Sequence, residues 1–324
     1  MTKISVLDLM MIGEGKTFAD TLADAAMLAR HVEQYGYQRY WIAEHHDIPG
    51  VASSATAVLI GHLAATTTSL RIGTGGVMLP NHSPLMVAEQ FATLAALYPG
   101  RIDLGLGRAA GAAGASVRAL RVGAAPRDFE LDIEVLSDYL QDNGRQPVRG
   151  IPGRHDVPLW LLGSSTQSAE LAARLGLPYV FASHFAPRLL KESLAFYRNY
   201  FQPSAMLSQP YVIAGINAFA ADSIEEAEFV ASSHFQWVHR FYDGLPCPLP
   251  RPQQGYMQRL SAEERRGPGG ALACTVIGDR EEVGIRLRQF VADTGADELI
   301  VDARIYDPVA RSRSYQIVKE SIAD

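Results

Sequence analysis

The chain has 324 residues, of which 48% are hydrophobic, and it can therefore bury a large core in one α/β barrel or in two smaller domains. A formal net charge of -6, without any basic run, argues against a nucleic-acid surface. No apolar run is long enough to span a bilayer, and the first residues lack the apolar core and cleavage site of a signal peptide. We therefore expect a cytoplasmic protein that does not bind a membrane.

Short apolar runs alternate with helical patterns through the first half of the chain. Residues 4–9 predict a first strand, and residues 17–35 predict a helix whose apolar side chains recur at helical spacing. The other strands predicted in this half are residues 40–44, 70–77, 101–106 and 159–162. The helices predicted between them are residues 53–67, 84–97 and 129–141.

The second half continues the alternation and contains one long irregular insertion. Strands are predicted at residues 179–182, 211–218 and 298–302, and helices at 187–200, 224–241, 280–294 and from 308 onward. The insertion, residues 243–270, is rich in proline and glycine, and so long a loop is usually functional or disordered.

Eight pairs of a strand and a helix predict one (β/α)8 TIM barrel over residues 1–324. A doubly wound sheet is the alternative. However, the Gly-x-Gly-x-x-Gly fingerprint expected after the first strand is absent, and Met10, Met11 and Ile12 stand there instead.

Polar residues and glycines gather at the carboxyl ends of predicted strands two to five. In a barrel these ends open on one face, where active sites are built. The residues concerned are Glu44, His45 and His46, Gly75 and Gly76, Gly107 and Arg108, and Gly163, Ser164 and Ser165.

The two histidines suit proton transfer better than metal binding. Side chains alternate along a strand, so His45 and His46 should point to opposite sides and are poorly placed to ligate one metal. A metal site remains the minor alternative, and a structural role for the pair is another. A histidine at the barrel mouth can exchange a proton near neutral pH. His184, after strand six, is a weaker candidate on the same face.

The segment after strand five predicts an anion site. Ser164, Ser165, Thr166 and Ser168 place hydroxyls and free N–H groups at the start of a helix, where the dipole favours negative charge. The alternative is that Ser165 only caps this helix. Arg108 could clamp a phosphate or pair with a loop carboxylate, and the paired glycines could form a turn or let a flat group approach.

Several long motifs, in one order, resemble the bacterial luciferase-like flavin monooxygenases. The likeness is greatest to their single-chain subgroup. The motifs are WIAEHH at 41–46, RIGTGGVMLPNHSPLMVAEQFATL at 71–94, YPGRIDLGLGRAAG at 98–111 and PLWLLGSSTQSAELAARLGLPYVFASHFAP at 158–187. The resemblance implies a (β/α)8 barrel that binds FMN, forms a homodimer and receives reduced flavin from a separate NAD(P)H flavin reductase.

The resemblance also implies roles for single residues. His45 matches the catalytic histidine, with Glu44 as a group that could orient it, and the Gly75–Gly76 peptide matches a cis bond beneath the flavin ring. Residues 243–270 match a mobile loop that covers the site. The positions that match the phosphate side of the cofactor site are Arg108, Ser164, Ser165 and Ser168, next to Gly163.

Three positions depart from the luciferase pattern. Gly107 stands where the light-emitting subunit has a reactive cysteine, so light emission is not expected; Ser164 replaces a carboxylate; and Arg127 is an uncertain match to a second phosphate arginine. The expected activity is an FMN-dependent oxidation, with O2, of a small organic substrate such as an aldehyde or another carbonyl compound. The alternatives are an F420-dependent hydride-transfer enzyme and a flavin-binding barrel that has lost catalysis.

Overall fold

A closed barrel of parallel strands organises the protein, whose computed structural model describes residues 2–109, 115–120 and 128–323. The strands are β1 (Lys3–Asp8), β2 (Arg39–Ile42), β3 (Arg71–Met78), β4 (Ile102–Gly107), β5 (Leu159–Gly163), β6 (Tyr179–Phe181), β7 (Val212–Ala220), β8 (Thr275–Gly278) and β9 (Glu298–Asp302). The helices are α1 (Phe18–Gln34), α2 (Thr56–Ala65), α3 (Pro84–Leu97), α4 (Ala115–Leu120), α5 (Phe129–Gln141), α6 (Thr166–Leu175), α7 (Leu190–Tyr200), α8 (Ile224–Tyr242), α9 (Tyr256–Arg259), α10 (Ala262–Arg266), α11 (Arg280–Thr294) and α12 (Pro308–Ala323).

Eight strands close the ring in the order β1 to β7 and then β9, which pairs with both β7 and β1. The last residues of β7 extend beyond this ring and pair with β8, from Asn217 opposite Thr275 to Ala220 opposite Gly278. The (β/α)8 barrel predicted from the sequence is therefore confirmed, with residues 298–302 as its closing strand.

Strand alternation divides the core into two layers. Val6 of β1 packs in the large cluster between strands and helices, whereas Leu7 points into the barrel with Trp41 and Ile300. Every residue of β7 is buried, as expected for a parallel strand that is covered on both faces. Barrel closure thus follows from apolar strands that have neighbours on either side.

The insertion at residues 243–270 is held against the barrel by specific contacts. It contains α9 and α10, so it is less irregular than the sequence predicts. Leu249 pairs with the backbone of Gly13, and the Trp237 indole donates a hydrogen bond of 3.0 Å to the carbonyl of Cys247.

One sequence expectation falls outside the described residues, namely the match of Arg127 to a second phosphate arginine. Among the helices that are described, none has both the length and the apolar composition needed to cross a bilayer.

Candidate active site

A cavity of about 490 Å³ opens at the carboxyl end of the barrel. Its volume lies in the range of small-molecule and cofactor sites. Its wall is formed by residues at or just beyond the ends of β1 to β6 and β9, and by one face of α8. Seven of the predicted site residues line it, namely His45, Gly75, Gly76, Arg108, Gly163, Ser164 and Ser168.

His45 lies in the loop after β2, because that strand ends at Ile42 and not at residue 44 as predicted. Its backbone N–H donates to the carbonyl of Ser53 at 3.1 Å, which fixes the loop. Its Nδ1 is buried and has no hydrogen-bond partner among the described residues. Burial and then the positive charge of Arg304 lower the pKa of His45 to about 4, so the imidazole is neutral at pH 7.

Glu44 does not line the cavity, and it does not hydrogen-bond His45 as the sequence suggests. Its fully buried carboxylate contacts Nε2 of His46 at 2.9 Å and Nε2 of His82 at 2.8 Å, and accepts the N–H of Met78 at 3.1 Å. Burial raises the pKa of the Glu44 carboxyl, but these hydrogen bonds outweigh it and the net pKa is lowered. Glu44 thus ties the loop after β2 to the segment after β3.

His46 turns away from the cavity toward Glu44, so the two histidines do diverge. Strand alternation is not the reason for this divergence, because both histidines lie beyond the end of β2. Within the described residues, no group of three or more His, Cys, Asp or Glu side chains could hold a metal ion.

Gly75 and Gly76 form a floor without side chains, and the peptide between them is cis, as the resemblance implies. The pairing of β3 with β4 slips by one residue at this point. A Cβ on Gly76 would lie 2.8 Å from the carbonyl oxygen of Gly105, and one on Gly75 would lie 2.8 Å from Cδ1 of Leu7. Only glycine fits both positions without a shift of its neighbours.

The start of α6 forms another part of the wall. Ser165 is the N-cap of α6: its Oγ accepts the N–H of Ser168 at 3.3 Å, while the Ser168 hydroxyl donates to the Ser165 carbonyl at 2.6 Å. Ser165 is not a lining residue, and its place on the phosphate side of a cofactor stays a prediction. Gly163 is required because a Cβ there would lie 2.1 Å from Oγ of Ser168.

Arg108 lies beside this helix start. Its exposed guanidinium donates to Oε1 of Gln167 at 3.2 Å, so it points toward the first turn of α6. Arg108 therefore borders the same cavity as Ser164 and Ser168 at the start of α6, a combination suited to an anionic group.

Sequence reasoning missed three lining residues, His234, Trp237 and Arg304. Arg304 follows the last barrel strand closely, so its place near a strand end was an available signal. His234 and Trp237 come from α8, in which ten residues are buried, and helical periodicity does not single out the face toward the cavity.

His184, the weaker candidate, also lines the cavity. Burial and then the charge of Arg304 lower its pKa to about 3. The insertion at 243–270 supplies none of the described lining residues, although Tyr242 and Ala271 on either side of it do line the cavity. Its role as a lid stays a prediction.

Comparisons with known proteins agree with this geometry. The family described as luciferase-like monooxygenase matches residues 2–298. A luciferase-like monooxygenase of Escherichia coli K12 is 47% identical over 325 residues, which cover 98% of this chain and 97% of the relative. N-acetyl-S-alkylcysteine monooxygenase of Bacillus subtilis is 33% identical, over 99% of this chain and 98% of the relative.

Solved structures give the same fold. The apo form of MsnO8 superposes with a TM-score of 0.91 at 36% identity, covering 100% of this chain and 99% of the other. The oxygenating component of 3,6-diketocamphane monooxygenase from Pseudomonas putida, in complex with FMN, has a TM-score of 0.72 at 15% identity, with coverage of 100% and 98%. An F420-dependent secondary alcohol dehydrogenase has a TM-score of 0.72 at 16% identity, with coverage of 100% and 99%. With this family match along nearly the whole chain and relatives of high identity, the protein belongs to the luciferase-like monooxygenase family.

Proposed function

We propose that this protein is an FMN-dependent monooxygenase. It would take reduced FMN from a separate NAD(P)H flavin reductase, act as a homodimer, and use O2 to oxidise a small organic substrate such as an aldehyde or another carbonyl compound. One observation carries the proposal: a single cavity brings together the floor without side chains at Gly75 and Gly76, Arg108 beside the start of α6, and His45.

The residues present fit FMN at both ends of that cofactor. The paired glycines leave room for a flat ring system, because no side chain projects from them and none could be added without a clash. Arg108 and Ser164, with the N–H groups of α6, would hold the phosphate. When bound, reduced FMN supplies the two electrons with which O2 gives one oxygen atom to the substrate and one to water.

His45 would handle the proton in this reaction. Since its pKa is lowered to about 4, the imidazole is neutral at pH 7 and can accept a proton from a neighbouring group. Its buried Nδ1 without a described partner leaves this nitrogen available for a ligand. Glu44 would act as a positioning residue through His46 and the backbone of Met78, and not by contact with His45.

The floor and inner wall of the cavity would exclude water from the reacting atoms. Leu7, Trp41 and Ile300 are at most 4% exposed and line the cavity from inside the barrel. Apolar surroundings strengthen every polar contact made there and protect reactive species from hydrolysis.

A second candidate is an F420-dependent hydride-transfer enzyme. The observation in its favour is that F420-dependent and FMN-containing structures superpose on this chain equally well, each with a TM-score of 0.72. Both cofactors carry a flat ring and a phosphate-containing tail, so the glycine floor and Arg108 suit either.

Equilibrium titration with FMN and with F420 separates the two candidates. We expect FMN to bind more tightly, and Arg108→Ala to weaken FMN binding by about 10- to 100-fold, because a hydrogen bond to a charged group contributes about 1.5–3 kcal/mol. The matched control is Arg145→Ala, which removes an exposed arginine that pairs with Asp138 away from the cavity.

Tighter binding of F420, or equal effects of the two variants on FMN binding, would contradict the FMN proposal. Turnover is then measured as oxygen consumption with a flavin reductase, NADH, FMN and a panel of aldehydes, ketones and N-acetyl-S-alkylcysteines. The last compounds are included because a relative at 33% identity is named for them.

A further inference from the structure

Arg304 lies in the cavity wall, just beyond the end of β9. It is only 5% exposed, and its Nε and Nη2 both bind Oδ2 of Asp302 at 2.8 Å. Its guanidinium also lies over the indole of Trp237, 4.8 Å from the ring centroid. Its Nη1 makes no hydrogen bond to the described residues. The guanidinium is therefore held in place and still has N–H donors available for a ligand.

Two buried histidines line the cavity with Arg304. His234 is 1% exposed, and neither of its ring nitrogens has a hydrogen-bond partner in the described part of the chain. His184 is 7% exposed, and its Nδ1 packs close over Gly215, where a Cβ would lie 2.4 Å away. Buried polar atoms are nearly always paired in native proteins, so the unpaired nitrogens of His234 indicate a missing partner.

The charge of Arg304 acts on both buried histidines. After burial, the charge of Arg304 is the next largest cause that lowers the pKa values of His184 and His234. Asp302 offsets part of this charge, because it binds Arg304 directly, and its Oδ1 has no hydrogen-bond partner in the described part of the chain. A neutral imidazole keeps one N–H, so each histidine can still donate one hydrogen bond to an acceptor.

The proposed function leaves this cluster unused. Arg108 and the start of α6 are assigned to the phosphate of FMN, and His45 to the proton, whereas Arg304, His184 and His234 contact neither the glycine floor nor α6 through any described hydrogen bond. The cavity therefore has a second cationic group, and this one is buried.

We propose that Arg304, with His184 and His234, forms a binding site for the carboxylate of an organic substrate. The role of this carboxylate compound as the molecule oxidised rests on the proposed monooxygenase function. Its binding does not, because the site is built by the chain alone. A guanidinium fixed by Asp302 and Trp237 presents planar donors to a carboxylate, and the apolar wall around it accommodates the rest of the molecule.

Paired probes of equal chain length test the site on the full-length protein. Binding of octanoate and of octan-1-ol is followed by calorimetry and by the fluorescence of Trp237 and Trp41, which line the cavity. We expect octanoate to bind about 10- to 100-fold more tightly than octan-1-ol, the ratio that one hydrogen-bonded charge provides. Equal affinities, or no binding of octanoate, would overturn the proposal.

Two variants assign the preference to Arg304. The double variant Asp302→Asn/Arg304→Gln removes both charges of the pair, so that no unpaired carboxylate stays buried, and the preference for octanoate should vanish. Arg304→Lys keeps the charge without the planar fork and should keep part of the preference. If the double variant melts like the wild type yet still prefers octanoate, the assignment to Arg304 is wrong.

Arg108→Ala separates this proposal from the proposed function. It should weaken FMN binding and leave the octanoate preference intact, while the double variant should do the reverse. If Arg108→Ala abolishes the octanoate preference, the anion belongs to the α6 side and the carboxylate site at Arg304 is refuted. If wild-type protein prefers octanoate but binds no FMN, the proposed function fails and the carboxylate site stands.

Discussion

At the amino-terminal end of the barrel, Arg39 lies between two buried carboxylates, whereas at the carboxyl end the imidazoles of His45 and His234 keep nitrogens without described partners. Arg39 binds Asp103 at 2.7 Å and Glu298 at 2.8 Å. Both ends bury polar groups inside the same ring of strands, and they differ in how far those groups are hydrogen-bonded within the chain.

Further hydrogen bonds complete the network at the amino-terminal end. Asp103 accepts from the Trp41 indole at 3.1 Å and from Nε of Arg71 at 3.1 Å, and Glu298 accepts from the hydroxyl of Tyr211 at 2.9 Å. Such a hydrogen-bonded network makes this end of the barrel rigid, and the one buried polar atom beside Arg39 that has no described partner is Nε1 of Trp160.

The difference indicates which end binds a ligand. Unpaired buried polar atoms cost stability unless something else satisfies them, and chains retain them mainly at functional sites. In TIM barrels the amino-terminal end serves stability and the carboxyl end serves chemistry. The two ends should therefore respond differently to mutation.

Loss of the His45 imidazole should have the largest effect, and this effect should be a lower turnover rate. We expect His45→Gln to lower the rate of substrate oxidation by about 10²- to 10⁴-fold, the contribution of a general acid or base. Its free energy of unfolding should hardly change, because the Nδ1 of His45 has no described partner to lose. The measurements are oxygen consumption and urea unfolding, with exposed His62→Gln on α2 as the control. An unchanged rate would contradict the role of His45 in proton transfer, whereas no oxidation by the wild type would favour a flavin-binding barrel that has lost catalysis.

Loss of the Arg39 guanidinium should instead lower the free energy of unfolding. Arg39→Met leaves the fully buried Glu298 without a cation, and breaking a buried pair in this way costs about 3–5 kcal/mol. Arg149→Met makes the same change in a pair with Asp142 whose arginine side chain is 74% exposed, and should change stability far less, because water screens this pair. Urea unfolding of both variants checks the difference, and similar losses of stability would show that the amino-terminal network is not a special source of stability.

Acidification should have the smallest effect of the three, and it should act on the carboxyl end. The pKa values of His45 and His184 are lowered to about 4 and about 3 by burial and by Arg304, from an ordinary value of 6.5. As the pH falls from 6.5 toward 4, the unfolded chain takes up protons at these residues and the folded chain does not, so stability falls. The slope is at most about 1.4 kcal/mol per pH unit for each histidine.

Urea unfolding at pH 7 and at pH 5 measures this slope. We expect His184→Gln to lose less stability between the two pH values than the wild type does, because one of the buried histidines with a lowered pKa is gone. A slope that is the same in both proteins would mean that His184 is not a buried neutral imidazole.

Much of the fold was predictable because the information is local. Apolar strands and helical patterns of the expected length, in strict alternation, are enough to indicate a parallel barrel, since few other folds bury so many apolar strands on both faces. The places of His45, Gly75 and Arg108 near strand ends follow from the same patterns. Their meeting in one cavity then follows from the parallel direction of the strands.

Contacts between residues far apart in the chain were decided only by the tertiary structure. The Glu44 carboxylate hydrogen-bonds His46 and His82, and not His45, because the loop after β2 folds back on the segment after β3. His234 faces the cavity because of how α8 crosses the barrel mouth, and Arg304 is fixed by the Trp237 side chain of that helix. Periodicity gives a helix an inward face only where one face alone is buried. Helix α8 is covered on several sides, so its contribution to the cavity depends on packing that no local pattern encodes.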